Sequence, residues 1–276
     1  ATTLEANWDS FADTTSGIQY YEYAVGTTTG GSDVSGDWIS VGTNTSFSAT
    51  FTLNETVTYF VSIQATDNVN NVSAVVTSDG ITTDFTGPQG TWAIDGDSSD
   101  IDRQNFTDTY SGYWLHFIEE GSGFKTHEYA LYDNDNSQYI TSWTVTLDTS
   151  CVISELELLE DLTYSLHIRG IDSVDNVGPI LMSDGSLVDL SAPAIPLNLV
   201  GWFSTERIYL EWTNNTESDL DHYTIYGGTE MNPTMLLSTT ADSTTEAFMP
   251  GFEDGNTYYL RISATDIPGN ESAFTA

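Results

Sequence analysis

The stretch YYLRISATDIPGN at residues 258–270 joins a strand pattern to a turn. Apolar and polar side chains alternate up to Ala264, and the turn-forming run Asp-Ile-Pro-Gly-Asn follows. A period of two is typical of a β-strand with one buried face. Related stretches occur at residues 59–71 (YFVSIQATDNVNN) and 164–176 (YSLHIRGIDSVDN). One strand–turn unit written three times predicts a chain of three repeats.

Further matches extend the repeat over the rest of the chain. Trp8 and Phe11 reappear as Trp114 and Phe117, both 106 positions later (8 to 114, 11 to 117). The third copy is more diverged, and its tryptophan, Trp212, lies in the alternating run IYLEW. Many short alternating strands in about 100 residues are typical of a β-sandwich. The sequence therefore predicts an all-β fold.

Two short segments with proline mark the borders of the repeats, DFTGP at 84–88 and DLSAP at 189–193. We expect three tandem antiparallel sandwiches in an extended string: module 1 (residues 1–86), module 2 (87–192) and module 3 (193–276). Module 1 is expected to lack most of strand A, and module 3 to have a short strand G. Two explanations of these incomplete modules are open. The sequence is cut from a longer chain, or neighbouring copies supply the missing strands.

Each module contains one early tryptophan and one tyrosine before its repeated strand. These residues are Trp8, Trp114 and Trp212, and Tyr59, Tyr164 and Tyr258. We expect the tryptophans to lie between the sheets and the tyrosines to form tyrosine corners. With these motifs the chain resembles the tandem fibronectin type III-like or Ig-like repeats of large prokaryotic cell-surface or secreted proteins. The resemblance implies a fold, which serves many functions.

Composition restricts the partners and the setting. The chain has 41 acidic and 5 basic residues, a net charge of -36. Such a surface argues against nucleic acid, whose phosphates need Lys and Arg, and no long apolar run indicates direct membrane insertion. Abundant Ser, Thr, Asn, Asp and Gly favour an extracellular or cell-surface location. The single cysteine, Cys151, excludes an intrachain disulfide and is expected on an outer face.

Calcium at the module junctions is the metal-site prediction. In this sandwich the B–C and F–G loops lie at the end where the linker enters, so acidic residues from three segments are expected to meet there. The predicted ligands are Asp84, Glu119, Glu120, Asp172 and Asp175 before module 2, and Asp189, Glu217, Asp219, Asp266 and Asn270 before module 3. The alternative is that turns simply favour Asp and Asn. Two other acidic segments, 95–102 and 133–136, are expected to be solvated loops.

No catalytic constellation emerges. His116 and His167 are expected to face solvent, and no histidine lies in a zinc or nucleophile motif. We expect a non-enzymatic rod of a surface adhesin or secreted filament, with neighbouring modules, copies of the same protein, glycans or cell-surface proteins as partners. The alternative is a spacer or carbohydrate-binding part of an extracellular polysaccharide-degrading enzyme, which a flat exposed aromatic row on one sheet would favour. A receptor ectodomain is a third possibility.

Overall fold

The computed structural model describes residues 2–241 and 244–275, and these contain strands but no helix. Module 1 has β1 (Thr2–Asn7), β2 (Ile18–Gly26), β3 (Ile39–Gly42), β4 (Ser46–Phe51), β5 (Thr58–Asp67), β6 (Val76–Thr77) and β7 (Ile81–Thr82). Module 2 has β8 (Ala93–Asp95), β9 (Arg103–Gln104), β10 (Tyr110–Trp114), β11 (Phe124–Asp133), β12 (Gln138–Tyr139), β13 (Thr144–Thr146), β14 (Ser150–Ile153), β15 (Thr163–Asp172), β16 (Leu181–Met182) and β17 (Ser186–Val188). Module 3 has β18 (Leu197–Ser204), β19 (Arg207–Thr213), β20 (Leu220–Gly228), β21 (Leu236–Ala241), β22 (Glu246–Pro250) and β23 (Tyr259–Asp266).

Module 3 is a sandwich of two antiparallel sheets, with strand orders β18-β19-β22 and β21-β20-β23. Its core joins the inner faces of both sheets, including Leu210 and Trp212 from one and Ile225 and Ile262 from the other. Burial of such side chains contributes about 1.5–3 kcal/mol each. The predicted alternation therefore folds into the predicted two-layer architecture.

Modules 1 and 2 vary this plan at strand A, the first strand, which is β18 in module 3. In module 1 the first sheet is β1-β4 and the second is β3-β2-β5-β6, with β7 also on β5. In module 2 the first sheet is β14-β10-β8 and the second runs β12-β11-β15-β17-β9, with β13 on β11 and β16 on β15. Strand β9 pairs in parallel with β17. The chain segment that starts module 2 thus contributes to both of its sheets.

The tyrosine corners are confirmed in all three modules. Each hydroxyl accepts a hydrogen bond from the backbone N–H five residues earlier: Asn54 to Tyr59 (2.7 Å), Leu159 to Tyr164 (3.1 Å) and Glu253 to Tyr258 (3.1 Å). Trp114 and Trp212 are buried as predicted, whereas Trp8 is only partly buried against the core of module 1. The tyrosine corner therefore recurs in all three modules, whereas the burial of the tryptophan differs in module 1.

Two predictions of exposure are wrong. Cys151 is buried because it pairs with Gly112, which lies on the buried face of β10 together with Tyr110 and Trp114, and burial raises the pKa of the thiol to about 12. His167 is buried because Tyr132 and Tyr139 cover it, with its ring 4.4 Å from that of Tyr132, and burial lowers its pKa. Both positions depend on how neighbouring strands pair or pack.

The described contacts divide the chain into two compact units. One comprises Ala1–Gly90, Phe117–Glu128 and Arg169–Ile180, and the other comprises Thr91–His116, Tyr129–Ile168 and Leu181–Ala276. The first unit thus contains the linker at 84–88 together with the B–C loop of module 2, between β10 and β11, and its F–G loop, after β15. The second contains the linker at 189–193 and all of module 3. The module borders proposed above stay predictions.

Candidate functional site: the two module junctions

Junction 1 consists of the linker at 84–88 and the two loops of module 2 that contact it. Its central feature is a group of three acidic side chains, Asp84, Glu119 and Asp172, with one carboxylate oxygen from each lying within 4.8 Å of the others. Asp172 is fully buried, whereas Asp84 and Glu119 are partly buried. Carboxylate oxygens at this spacing are the ligands that Ca²⁺ prefers.

Backbone amides of the B–C loop stabilise the negative charges of junction 1. The N–H of Ser122 donates to Oδ2 of Asp84 (2.5 Å), and the N–H of Gly121 donates to Oε1 of Glu119 (2.6 Å). Hydrogen bonding from Ser122 lowers the pKa of Asp84. Because hydrogen bonds to the charged form favour ionisation, Asp84 is held as a carboxylate.

An asparagine of the F–G loop fastens the linker. The N–H and side-chain amide of Asn176 donate to Asp172 (2.8 and 2.7 Å), and the same amide donates to the backbone carbonyl of Asp84 (3.1 Å). Gly178 allows the close approach, since a Cβ there would collide with the carbonyl of Pro88. We call the bond from the F–G asparagine to the linker carbonyl the linker clamp.

Junction 2 consists of the linker at 189–193 and the loops of module 3 that contact it. It repeats the linker clamp: Asn270 donates to Asp266 (2.9 Å) and to the backbone carbonyl of Asp189 (2.8 Å). Its charges are arranged differently, because the guanidinium of Arg103 lies between Asp189 (2.9 Å) and Asp219 (3.2 Å). The three side chains are 29%, 10% and 19% exposed, so this ion pair is largely protected from solvent.

The B–C loop of module 3 adds a second attachment to junction 2. The N–H of Ala194 donates to Glu217 (2.7 Å), and its carbonyl accepts from the amide of Asn215 (2.7 Å). The bond from Ala194 is the main cause of a lowered pKa at Glu217. Glu217 therefore has a partner within the protein.

The predicted calcium ligands thus have different surroundings. Asp84, Glu119 and Asp172 converge, whereas Glu120 is exposed and Asp175 pairs with the exposed Lys125. At junction 2, Asp189 and Asp219 contact Arg103, Asp266 and Asn270 contact each other, and Glu217 contacts Ala194. Sequence reasoning missed Arg103 and Asn176. The one signal in the sequence was that the chain has just 5 basic residues. A basic residue among so many acidic ones predicts an ion pair.

The acidic segments expected to be solvated loops each contain a buried aspartate. Asp95 accepts hydrogen bonds from the hydroxyl of Tyr110 (2.6 Å) and the N–H of Gly185 (2.7 Å), and burial raises its pKa. Asp133 is also buried and accepts from Asn136 (2.9 Å). The expectation is wrong for these two residues, whose partners lie in other segments or in the turn itself.

The chain is similar to parts of known proteins in sequence and in structure. No family model matches the chain. The chain is 27% identical over 262 residues to Exoglucanase B of Cellulomonas fimi, an alignment that covers 89% of this chain and 22% of that protein. Among solved structures it is similar to the chicken CNTN1 FN1–FN3 domains (99% and 93% covered, 16% identity, TM-score 0.45). It is also similar to the spore cortex lytic enzyme SleM of Clostridium perfringens (47% and 34% covered, 22% identity, TM-score 0.27).

The strand orders, the tyrosine corners and the repeated linker clamp define the class: tandem fibronectin type III-like β-sandwich modules. The resemblance inferred from the sequence is confirmed for the fold. In the part of the chain that the structure describes, no helix is long and apolar enough to cross a membrane.

Proposed function

We propose that the chain is a non-catalytic spacer of a secreted polysaccharide-degrading enzyme, in which the modules hold other parts of the protein at defined separations. The linker clamp is the observation that carries this proposal, since it recurs at both junctions. The similarity to Exoglucanase B supports the enzyme context and the extracellular location. The chain spans only 22% of that relative, so the association with a catalytic domain belongs to the proposal.

The linker clamp restricts the linker by fixing a backbone group. A flexible linker would leave its carbonyls to water, whereas here a loop amide holds the carbonyl of each linker aspartate. Each such bond contributes about 0.5–1.5 kcal/mol. Together with the proline that limits φ in each linker, the clamps give a spacer a preferred geometry at its junctions.

Two experiments test the spacer proposal. Limited proteolysis should leave residues 84–88 and 189–193 uncut under conditions that cleave the exposed loops, because clamped linkers do not open to a protease. The coding sequence flanking this segment should encode a glycoside hydrolase domain. Rapid cleavage at both linkers would overturn the stiff spacer, and a flank without any hydrolase would overturn the enzyme context.

A rod of a surface adhesin or filament is the second candidate. Tandem repetition favours it, because a row of similar modules gains length without new chemistry. The same flanking sequence separates the candidates: further repeats and an anchoring signal would support the adhesin or filament. Hydrolytic activity of the isolated chain on a polysaccharide would contradict both candidates, since each assigns the chain no catalytic role.

We also propose that Ca²⁺ binds junction 1 and not junction 2. The support at junction 1 is the convergence of Asp84, Glu119 and Asp172. The support at junction 2 is Arg103, a positive group that already lies beside the equivalent linker aspartate, Asp189.

A further inference from the structure

Module 3 carries three aromatic side chains side by side on the outer face of its β18-β19-β22 sheet. Trp202, Tyr209 and Phe248 are direct cross-strand partners on three neighbouring strands, and we call them the aromatic row. The rings of Trp202 and Tyr209 are stacked, with centroids 5.7 Å apart and planes 7° from parallel, and those of Tyr209 and Phe248 are 6.4 Å apart with planes tilted by 33°. Trp202 is 46% exposed and Phe248 is 64% exposed. The row is therefore accessible from solvent.

The fold does not require aromatics at this place. In every module the N–H of the early tryptophan bonds to the carbonyl of the threonine just before the neighbouring strand, which fixes the equivalent positions. The cross-strand pairs three residues away are Glu5–Ser48, Ser111–Val152 and Tyr209–Phe248. Only module 3 places two aromatic rings there. Exposed apolar surface of this kind indicates an interaction site.

Polar groups border the aromatic row on both sides. Glu211 and Glu246 lie opposite each other along one side, and Ser204 and Arg207 are partners along the other. The guanidinium of Arg207 is 5.8 Å from the centre of the Phe248 ring. Like charges directly opposite each other destabilise a sheet, so the two glutamates are a local cost. The surface is an apolar strip between hydrogen-bond acceptors and donors.

Such a strip is complementary to a chain of pyranose rings. Each ring presents C–H groups on its faces, which pack against the negative face of an aromatic ring, and hydroxyls at its edges. The hydroxyls can donate to the carboxylates of Glu211 and Glu246 and accept from Arg207. The row spans two interstrand spacings, roughly 10 Å, which accommodates a short run of sugars.

We propose that the aromatic row binds a neutral β-linked polysaccharide chain. The choice of a polysaccharide rests on the proposed function, whereas the existence of the site rests on the row itself. A second copy of this chain is a poorer occupant, because three side chains give far less than the roughly 800 Å² per partner that a stable interface buries. The net charge of -36 also opposes self-association, whereas a neutral glycan is not repelled.

The test measures binding of the whole 276-residue chain to microcrystalline cellulose, soluble mixed-linkage β-glucan and xylan, by depletion and by affinity electrophoresis. We expect binding to at least one of them, weakened about tenfold or more by W202A or F248A, since tenfold corresponds to about 1.4 kcal/mol. W92A is the matched control, because Trp92 is 43% exposed and lies in module 2. It should bind within about twofold of wild type. Unchanged melting of W202A would show that the loss is local.

Three outcomes would overturn the inference. The wild-type chain binds none of the polysaccharides, W92A weakens binding as much as W202A, or W202A abolishes a concentration-dependent self-association while sugar binding is absent. Each leaves the spacer proposal intact, because proteolysis of the linkers and the flanking sequence test that separately. Conversely, sugar binding through the row with freely cleaved linkers would support this site and overturn the stiff spacer.

Discussion

The two junctions hold equivalent linker aspartates with the same clamp but with different charge partners. At junction 1, Asp84 lies with two other carboxylates and accepts a backbone N–H. At junction 2, Asp189 shares the guanidinium of Arg103 with Asp219. The repeat thus retains the backbone geometry of the linker, whereas the compensation of its charge is free to vary.

The difference comes from the start of module 2. Arg103 lies on β9, the short strand that pairs in parallel with β17. This pairing places the arginine beside Asp189, which directly follows β17 and whose N–H bonds to the carbonyl of Gln104. Junction 2 therefore receives its cation from the body of module 2, and the comparison predicts that the two junctions respond differently to mutation, metal and pH.

Removal of Arg103 should have the largest effect. In R103M the carboxylates of Asp189 and Asp219 would face each other without their shared partner. Breaking a fully buried pair costs about 3–5 kcal/mol, and the partial exposure of these groups reduces the expected loss to about 2–3 kcal/mol. Urea unfolding measures this loss of stability in the transition that includes module 3.

K125M is the matched control for Arg103. The Lys125–Asp175 pair is 51% and 74% exposed, so its loss should change the free energy of unfolding by less than about 0.5 kcal/mol. Equal effects of R103M and K125M would show that Arg103 does not stabilise junction 2.

Calcium should sharpen the contrast between the junctions. At ten to thirty times the dissociation constant, a single site stabilises the folded state by about 1.5–2 kcal/mol. Added calcium should raise the melting temperature of the wild-type chain. The rise should disappear in the double variant D84N/E119Q and persist in R103M. Calorimetry with calcium, with magnesium and with chelator measures it. An equal rise in the double variant would place calcium elsewhere.

The linker clamp should contribute equally at both junctions. N176A and N270A each remove a loop bond and the bond to the linker, whereas N71A removes the loop bond to Asp67. The linker bond should add about 1 kcal/mol to the cost of N176A relative to N71A. Hydrogen exchange of the linker amides measures whether the linker opens more often in N176A than in the wild-type chain. Identical effects of N71A and N176A would mean that the clamp does not hold the linker.

The sequence predicted the features that depend on repetition along the chain or on alternation within one strand. The tyrosine corners followed from the position of each tyrosine just before its repeated strand, and they are confirmed. Convergence of Asp84, Glu119 and Asp172 followed from loop order in the sandwich. Each of these depends on local periodicity or on the topology of the fold.

What the sequence could not predict depends on pairing between distant segments. Arg103 is 86 positions from Asp189, and the alignment of the repeats gave it no equivalent. The aromatic row required the register of three strands, which placed Phe248 opposite Tyr209. Cys151 turned inward because Gly112 faces it. In each case a one-residue change in register would give a different answer.

Acid should produce the smallest difference and should act through Asp84. Its pKa is lowered in the folded protein by hydrogen bonding from Ser122, so its contribution to stability is fully present above its unfolded pKa of about 3.9 and is lost as pH falls through the folded value. The difference in melting temperature between wild type and D84N should therefore be constant from pH 5 to 7 and shrink below about pH 4. E217Q provides the comparison at junction 2, because the pKa of Glu217 is also lowered. If the difference in melting temperature between wild type and D84N persisted unchanged at pH 2, the carboxylate charge would not stabilise junction 1. The linker clamp alone would then hold the linker there.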